Sequence, residues 1–309
     1  MGLKDFSLAK DGTSPHALIS PTPATLTPVS DTRPHKLVVE PLAISRIPGA
    51  MRNMGWNVSA ALMERWFSSP PKEMQEDEKK DASLVDPRHI DETIVTMAWA
   101  LQFDRCASRL TELKDRWDVE PAVDELLASL RGQKWNGQAE LRIGEKTMKA
   151  SALDATCDIN SIKVGHVKDT LDDFYGALGV ATLKMGVIGR AFVNSSTGRR
   201  VFQVQSCGFY LKDHYDFNGT QYLGLWTHYE VLGKVATVVD TALSGVSSPG
   251  MVYHWRGGGV GHVFNHHFRA YRDIHKKGGD FLIYSDVLWH DLSDAYVDLE
   301  GAFERENLA

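Results

Sequence analysis

Two apolar runs, Val180 to Val193 and Arg200 to Leu211, are separated only by Asn194-Ser195-Ser196-Thr197-Gly198. Asn and Gly accept the left-handed backbone that a short reversal needs, so the pair is expected to form a β-hairpin. This is the strongest constraint in the chain. Tyr222 to Leu232, Lys234 to Asp240, Met251 to Trp255 and Asp280 to Ser285 are further expected strands, with a break at Ser244 to Gly250. Most are joined by turns rather than by crossover helices. The expected class is α+β: an antiparallel sheet with flanking helices.

The first half is richer in helices. Trp56, Ala60, Leu62, Met63, Trp66 and Phe67 recur near helical spacing until Ser68-Ser69-Pro70-Pro71 stops them. Asp104 is expected to cap a helix running to about Trp117, with Cys106, Leu110 and Leu113 inward. Pro121 opens another, striped by Val123, Leu126, Leu127 and Leu130 and stopped by Gly132. Thr93 to Phe103 alternates cleanly and predicts a strand with one apolar face. Lys72 to Lys80 is a mixed-charge run expected as an exposed loop. Gln138 to Lys149 suggests weak β structure turning at Gly144, and Asp169 to Leu178 a short helix closed by Gly179. Later, Arg256 to Gly261 predicts a glycine-rich turn and Val263 to His275 a helix.

Residues 1 to 48 differ from the rest. They hold seven of the 12 prolines, and Ser20-Pro21-Thr22-Pro23-Ala24-Thr25-Leu26-Thr27-Pro28 suits neither helix nor ladder. The expected organisation is a Pro/Ser/Thr-rich extended leader (1–48), one α+β domain (49–299) and a short tail (300–309). Composition bears on several function classes. A net charge of −6, with no basic stripe, argues against nucleic acid as a partner. Three scattered cysteines form no CxxC pair, against a disulfide framework or a thiolate zinc site. No transmembrane segment is expected, because no run nears the ~18–20 apolar residues a bilayer crossing needs. No signal peptide of the usual kind follows Met1, so the expectation is synthesis in the cytoplasm and, for any export, a machine that needs no cleaved signal.

Chemistry-bearing residues gather in two blocks. Asp213-His214-Tyr215-Asp216-Phe217-Asn218-Gly219 places two carboxylates three residues apart where a strand ends. Asp213 and Asp216 could converge on one divalent cation, or one could hold a base that the other orients; Asp216 and Asn218 equally suit backbone caps in a turn. The second block is His262-Val263-Phe264-Asn265-His266-His267-Phe268-Arg269-Ala270-Tyr271-Arg272, followed by Lys276-Lys277-Gly278-Gly279-Asp280. His262 and His266 would share one face of a helix, though no HExxH is present. Arg269 and Arg272 could hold a phosphate or carboxylate, or pair internally with Asp280, Asp286 or the Asp213/Asp216 turn. Gly257-Gly258-Gly259-Val260-Gly261 lacks the lysine-serine ending and the strand-loop-helix frame of a phosphate cradle.

The Trp56–Phe67 segment, the block from Asp213 to Gly224, and Asn265 to Arg272 with Gly278-Gly279-Asp280-Phe281 resemble an uncharacterised bacterial family. That domain of unknown function is often encoded beside type VI secretion spike genes, and the resemblance spans roughly residues 50 to 299. It implies a secreted antibacterial effector or effector-associated protein, whose partners would be a spike protein or adaptor and a cognate immunity protein. It implies no reaction. Asp213, Tyr215 and Asp216 also match the Asp-x-Tyr-Asp part of the colicin M signature, without its downstream His-Arg pair: Tyr222-Leu223 stand there.

Two functions compete. As a hydrolase, Asp213, Tyr215, Asp216, His266 and Arg269 would be catalytic, with Asp213 and Asp216 as metal ligands. Arg272 and Asp280 would bind a phosphorylated or cell-envelope substrate. As a non-catalytic adaptor or cargo module, the chain would dock to a spike protein through its leader and through Trp56, Trp66 and Phe67.

Overall fold

The computed structural model describes residues 40–41, 43–166, 169–219, 221–227, 229–232, 251–255 and 258–308. All lie in the compact unit Leu37–Ala309. In chain order the strands are β1 (Glu40–Pro41), β2 (Ile90–Asp91), β3 (Leu141–Ile143), β4 (Asp158–Val164), β5 (Ala181–Val193) and β6 (Arg200–Tyr215). They continue as β7 (Tyr222–Thr227), β8 (Val231–Leu232), β9 (Met251–Trp255), β10 (Gly258–Phe264), β11 (Phe281–Tyr284) and β12 (Leu288–Asp298). The helices are α1 (Ile47–Asn53), α2 (Asn57–Ser68), α3 (Glu76–Lys80), α4 (Met97–Ala100) and α5 (Asp104–Leu113). After them come α6 (Glu120–Gly132), α7 (Ala150–Thr156), α8 (Asp173–Ala177), α9 (Asn265–His275) and α10 (Glu300–Leu308).

The hairpin β5–β6 is the axis of the larger sheet. Its arms pair antiparallel from Thr182↔Lys212 to Val193↔Arg200, and Asn194 closes the turn by accepting from the Ser196 and Thr197 amides. Each arm carries two shorter strands along its outer edge. Strand β5 pairs with β4 and then β3; β6 pairs with β12 and then β11, and β2 joins β11 in parallel. A bulge between Ile188 and Gly189 brings the backbones together, and a Cβ on Gly189 would lie 2.0 Å from the Gln203 carbonyl oxygen. The second sheet runs β1-β9-β10-β7-β8 and is antiparallel throughout. The α+β class therefore stands, with a mixed larger sheet.

Several local expectations are corrected. Thr93 to Phe103 is no strand: Thr96 caps α4 by accepting from the Trp99 amide, and Asp286 takes the Met97 amide at 2.6 Å. Cap chemistry and this long-range carboxylate override the alternation. Helix α5 ends at Leu113, and Asp104 lies in its first turn, where a carboxylate meets the positive end of the helix dipole. Residues Gly258 to Gly261 form strand rather than turn, pairing with β9 throughout and with β7 as well from Val260 onward. His262 thus sits on β10, opposite Leu225, so it does not share a helical face with His266. Part of the charge run 72–80 forms α3, and the residues expected as a tail form α10, with Ala302 and Phe303 buried. Residues 1–39, Lys234 to Asp240 and the break at Ser244 to Gly250 lie outside the described residues, whereas Ile44 and Ile47 are already core. Cys106, Cys157 and Cys207 are buried free thiols, and no described helix is long and apolar enough to cross a membrane.

One buried knot joins distant parts of the chain. Asp280 is 0% exposed; its carboxylate accepts from the Trp66 indole (3.0 Å), the Met74 amide (3.2 Å) and Arg272 (3.3 Å). Burial pushes its pKa up, opposed by Trp66 and Arg272. The chain reaches Asp280 by crossing the Trp66 ring so closely that a Cβ on Gly278 (φ 101°) would lie 2.4 Å from it. On Gly279 a Cβ would lie 2.2 Å from the Pro70 carbonyl oxygen. Gly278-Gly279 is therefore a steric requirement of the knot. Asp280→Ala leaves a buried guanidinium unpaired and is expected to cost about 3–5 kcal/mol, read as a lowered urea midpoint. An unchanged midpoint would remove the knot from the stability of the fold.

Candidate functional site

Strand β6 continues to Tyr215, so strand alternation sorts the side chains of the acidic motif. Tyr215 stacks on its register partner Phe281, with ring centres 5.3 Å apart. Phe217 lies face to face with Phe268 (3.7 Å) and edge-on to Trp66 (4.9 Å). With these rings held in the core, His214 lies between two carboxylates. Its Nδ1 is 3.3 Å from Asp213 Oδ1, and its Nε2 is 3.5 Å from Asp216 Oδ2. Lys79 of α3 reaches Asp216 Oδ2 (2.8 Å) and Glu76 (2.7 Å).

Two basic and three acidic side chains meet in this group. The Asp213 carboxylate raises the His214 pKa against the effect of burial, and Asp216 adds to the rise. Burial raises the Asp213 pKa, opposed by His214. Burial also works against charge on Lys79, yet Asp216 and Glu76 hold its pKa above the ordinary value. Asp213, Asp216 and Glu76 thus shift His214 and Lys79 toward their charged forms, a suitable arrangement for moving a proton.

Asp213, His214 and Asp216 line a cleft of about 430 Å³. Trp56, Tyr175, Tyr222 and Trp226 supply aromatic side chains to the same cleft. Trp56 is set by a cap from elsewhere in the chain: Asp173 of α8 accepts from the Val58 and Ser59 amides at the start of α2 (3.1 and 2.9 Å). The Tyr222 hydroxyl meets His262 Nδ1 at 2.9 Å, and the Trp226 indole donates to the Leu223 carbonyl at 3.1 Å.

The structure brings the two sequence blocks together through ring packing, Phe217 on Phe268, and through polar side chains that bond backbone carbonyls rather than carboxylates. Arg269 donates to the Phe217 and Gly219 carbonyls, both at 2.6 Å, and Asn265 donates to that of Asn218 (2.5 Å). Arg269 therefore braces the acidic turn, and it does not line the cleft. Arg272 and Asp280, expected to bind substrate, are consumed by the buried knot. His266 is exposed at the start of α9, against Phe264 and His267, and does not line the cleft. Tyr215 is committed to the core against Phe281, although it borders the cleft. Trp66 is fully buried and Phe67 packs on Phe268 and Tyr271, so of the three residues expected at a partner surface only Trp56 reaches the cleft. Among the described residues no group of three or more His, Cys, Asp or Glu side chains is arranged to hold a metal. A divalent cation on Asp213 and Asp216 would have to displace His214 and Lys79.

A second polar network carried no motif signal. Asp154, 7% exposed on α7, binds Lys184, Lys212 (2.7 Å), the Tyr284 hydroxyl (2.8 Å) and the Tyr210 hydroxyl (3.1 Å). Lys184 also holds Asp158 at 2.9 Å, and burial pushes Asp158 up to about 6. Lys184 stands opposite Tyr210 and Lys212 opposite Tyr284, so one sheet face presents all four to α7. The visible clue was a pair of lysines within apolar strands.

The fold and the cleft define an α+β protein with an acid–imidazole site walled by aromatic rings. The chain belongs to the family of unknown function DUF6402, whose model matches residues 42–299. Neither the curated proteins nor the solved structures contain a match to it.

His267 supplies a test near this site. Its Nδ1 accepts from the Phe264 amide at 3.2 Å, and burial, with His266 adding, pushes its pKa down to about 4. A depressed folded-state pKa gives stability that is present above the unfolded value of 6.5 and is lost as pH falls toward 4. His267→Gln keeps an acceptor for the amide and removes that proton linkage. Urea midpoints measured from pH 7 to 4 are expected to fall less steeply in the variant than in the wild type. Parallel slopes would contradict the assignment.

Proposed function

We propose that the chain is a hydrolase whose acid–base centre is Asp213, His214 and Asp216. The observation behind this reading is the imidazole held between two carboxylates in an aromatic cleft. His214, favoured as imidazolium, donates a proton to the leaving oxygen. A carboxylate takes a proton from water as the water oxygen bonds to the electrophilic atom and the bond to the leaving group breaks. The carboxyl proton then returns to the imidazole. Arg269 supports the turn in this scheme rather than holding substrate. Delivery of the protein as an antibacterial effector through a type VI secretion spike rests on the resemblance alone.

Activity is expected to fall as pH rises through the elevated His214 pKa, where the acid is lost. It also falls as pH drops through the elevated Asp213 pKa, where the base is lost. Growth of cells expressing cytoplasmic and periplasm-directed forms tests the effector reading. Arrest in one compartment is expected, with loss of arrest in His214→Gln and Asp213→Asn proteins of unchanged circular dichroism; general acid–base groups contribute about 10²–10⁴-fold. Equal arrest by variants and wild type would remove this centre from the mechanism.

A further inference from the structure

We propose that the cleft takes an uncharged oligosaccharide, with pyranose rings lying on Trp56 and the neighbouring aromatic walls and hydroxyls bound by the acidic motif. The proposal rests on the hydrolase reading of the same cleft and names its substrate class.

Charge narrows the choice. Among the described residues the lining carries no lysine or arginine, and its one basic side chain, His214, already faces two carboxylates, so a phosphorylated ligand would meet no free cationic clamp. A cationic ligand is disfavoured for the opposite reason: Asp213 and Asp216 already face His214, and Asp216 faces Lys79 as well. A wholly apolar ligand would cover these charged groups and leave them without water. What remains is a neutral molecule with both apolar faces and hydroxyl donors.

A pyranose ring fits that description. Its axial C–H groups form a flat apolar face that packs on an indole or phenol ring. Its hydroxyls lie at the rim, where carboxylates, imidazole and Gln221 can exchange hydrogen bonds with them. A carboxylate has about four lone-pair sites, so it can accept hydroxyls beside its existing contacts. The volume of about 430 Å³ falls within the range of small-molecule sites, roughly 300–1,000 Å³. The reaction would be glycosidic hydrolysis. The anomeric C–O bond breaks, the water oxygen bonds to the anomeric carbon, a carboxylate takes one water proton, and the His214 proton goes to the leaving oxygen.

The test is calorimetric titration of the full chain, wild type and His214→Gln, with chitotetraose, cellotetraose and maltotetraose. Glucose 6-phosphate and choline serve as charged probes. At least one tetrasaccharide is expected to bind both proteins and to change tryptophan fluorescence. Binding should weaken about tenfold or more in Trp56→Leu and be largely restored in Trp56→Phe, which keeps a ring. The proposal is overturned if none of the three sugars binds the wild type, or if either charged probe binds more tightly than all of them. It is also overturned if Trp56→Leu, folded by circular dichroism, binds as the wild type does. A sugar that binds the wild type without being cleaved would remove glycosidic hydrolysis and leave sugar binding by the cleft standing. Cleavage of another substrate class with no sugar bound would remove sugar binding and leave the hydrolase reading standing.

Discussion

A single carboxylate with no exposed surface, Asp280, ties together four parts of the chain. It receives the indole of α2, an amide from the segment before α3 and the guanidinium of α9, while its own residue leads into β11. A buried carboxylate is tolerated only when its oxygens are satisfied. These donors come from residues 66, 74 and 272, so satisfying Asp280 means bringing the ends of the domain together. The two glycines before it let the backbone pass the Trp66 ring.

The acidic motif is built on that knot. Trp66 donates to Asp280 with its polar edge and packs against Phe217 and Phe268 with its faces and rim. Those contacts fix Phe217, Arg269 fixes the carbonyls around it, and Phe281 fixes Tyr215. Core packing therefore holds the His214 imidazole between Asp213 and Asp216, and α3 supplies the balancing ammonium. On the neighbouring stretch of the same sheet the Asp154 network closes a second set of buried charges internally, anchoring α7. The two groups differ in access. His214 is half exposed in a cleft, whereas Asp154 is enclosed by its partners.

Much of the scaffold was legible because local and tertiary demands agreed. The Asn194–Gly198 turn, the apolar arms beside it and the stripe of α6 each pointed to the structure that formed. The acidic turn and the α9 block were singled out, and they do meet, though Arg269 bonds carbonyl oxygens where a bound anion or an internal aspartate was expected. Elsewhere a distant group decided. Thr93 to Phe103 alternates like a strand, yet Asp286, far along the chain, takes the Met97 amide and favours α4. Strand β12 is mostly exposed, so it carried little apolar alternation to find. Lys79 was hidden in a charge run that suggested a solvated loop, although its side chain is 12% exposed and serves Asp216. The aromatic walls come from the residue before α2, from α8 and from β7, and no sequence spacing records that convergence.

Asp213 shifts His214 toward the imidazolium form in the cleft. Selective ¹³C labelling of histidine, with His214→Gln to assign the resonance, allows the ring to be titrated by NMR. The expected result is a His214 pKa above 6.5 in the wild type and a clear fall in Asp213→Asn, where burial acts without that neighbouring carboxylate. A wild-type value at or below 6.5, unmoved by the substitution, would contradict it.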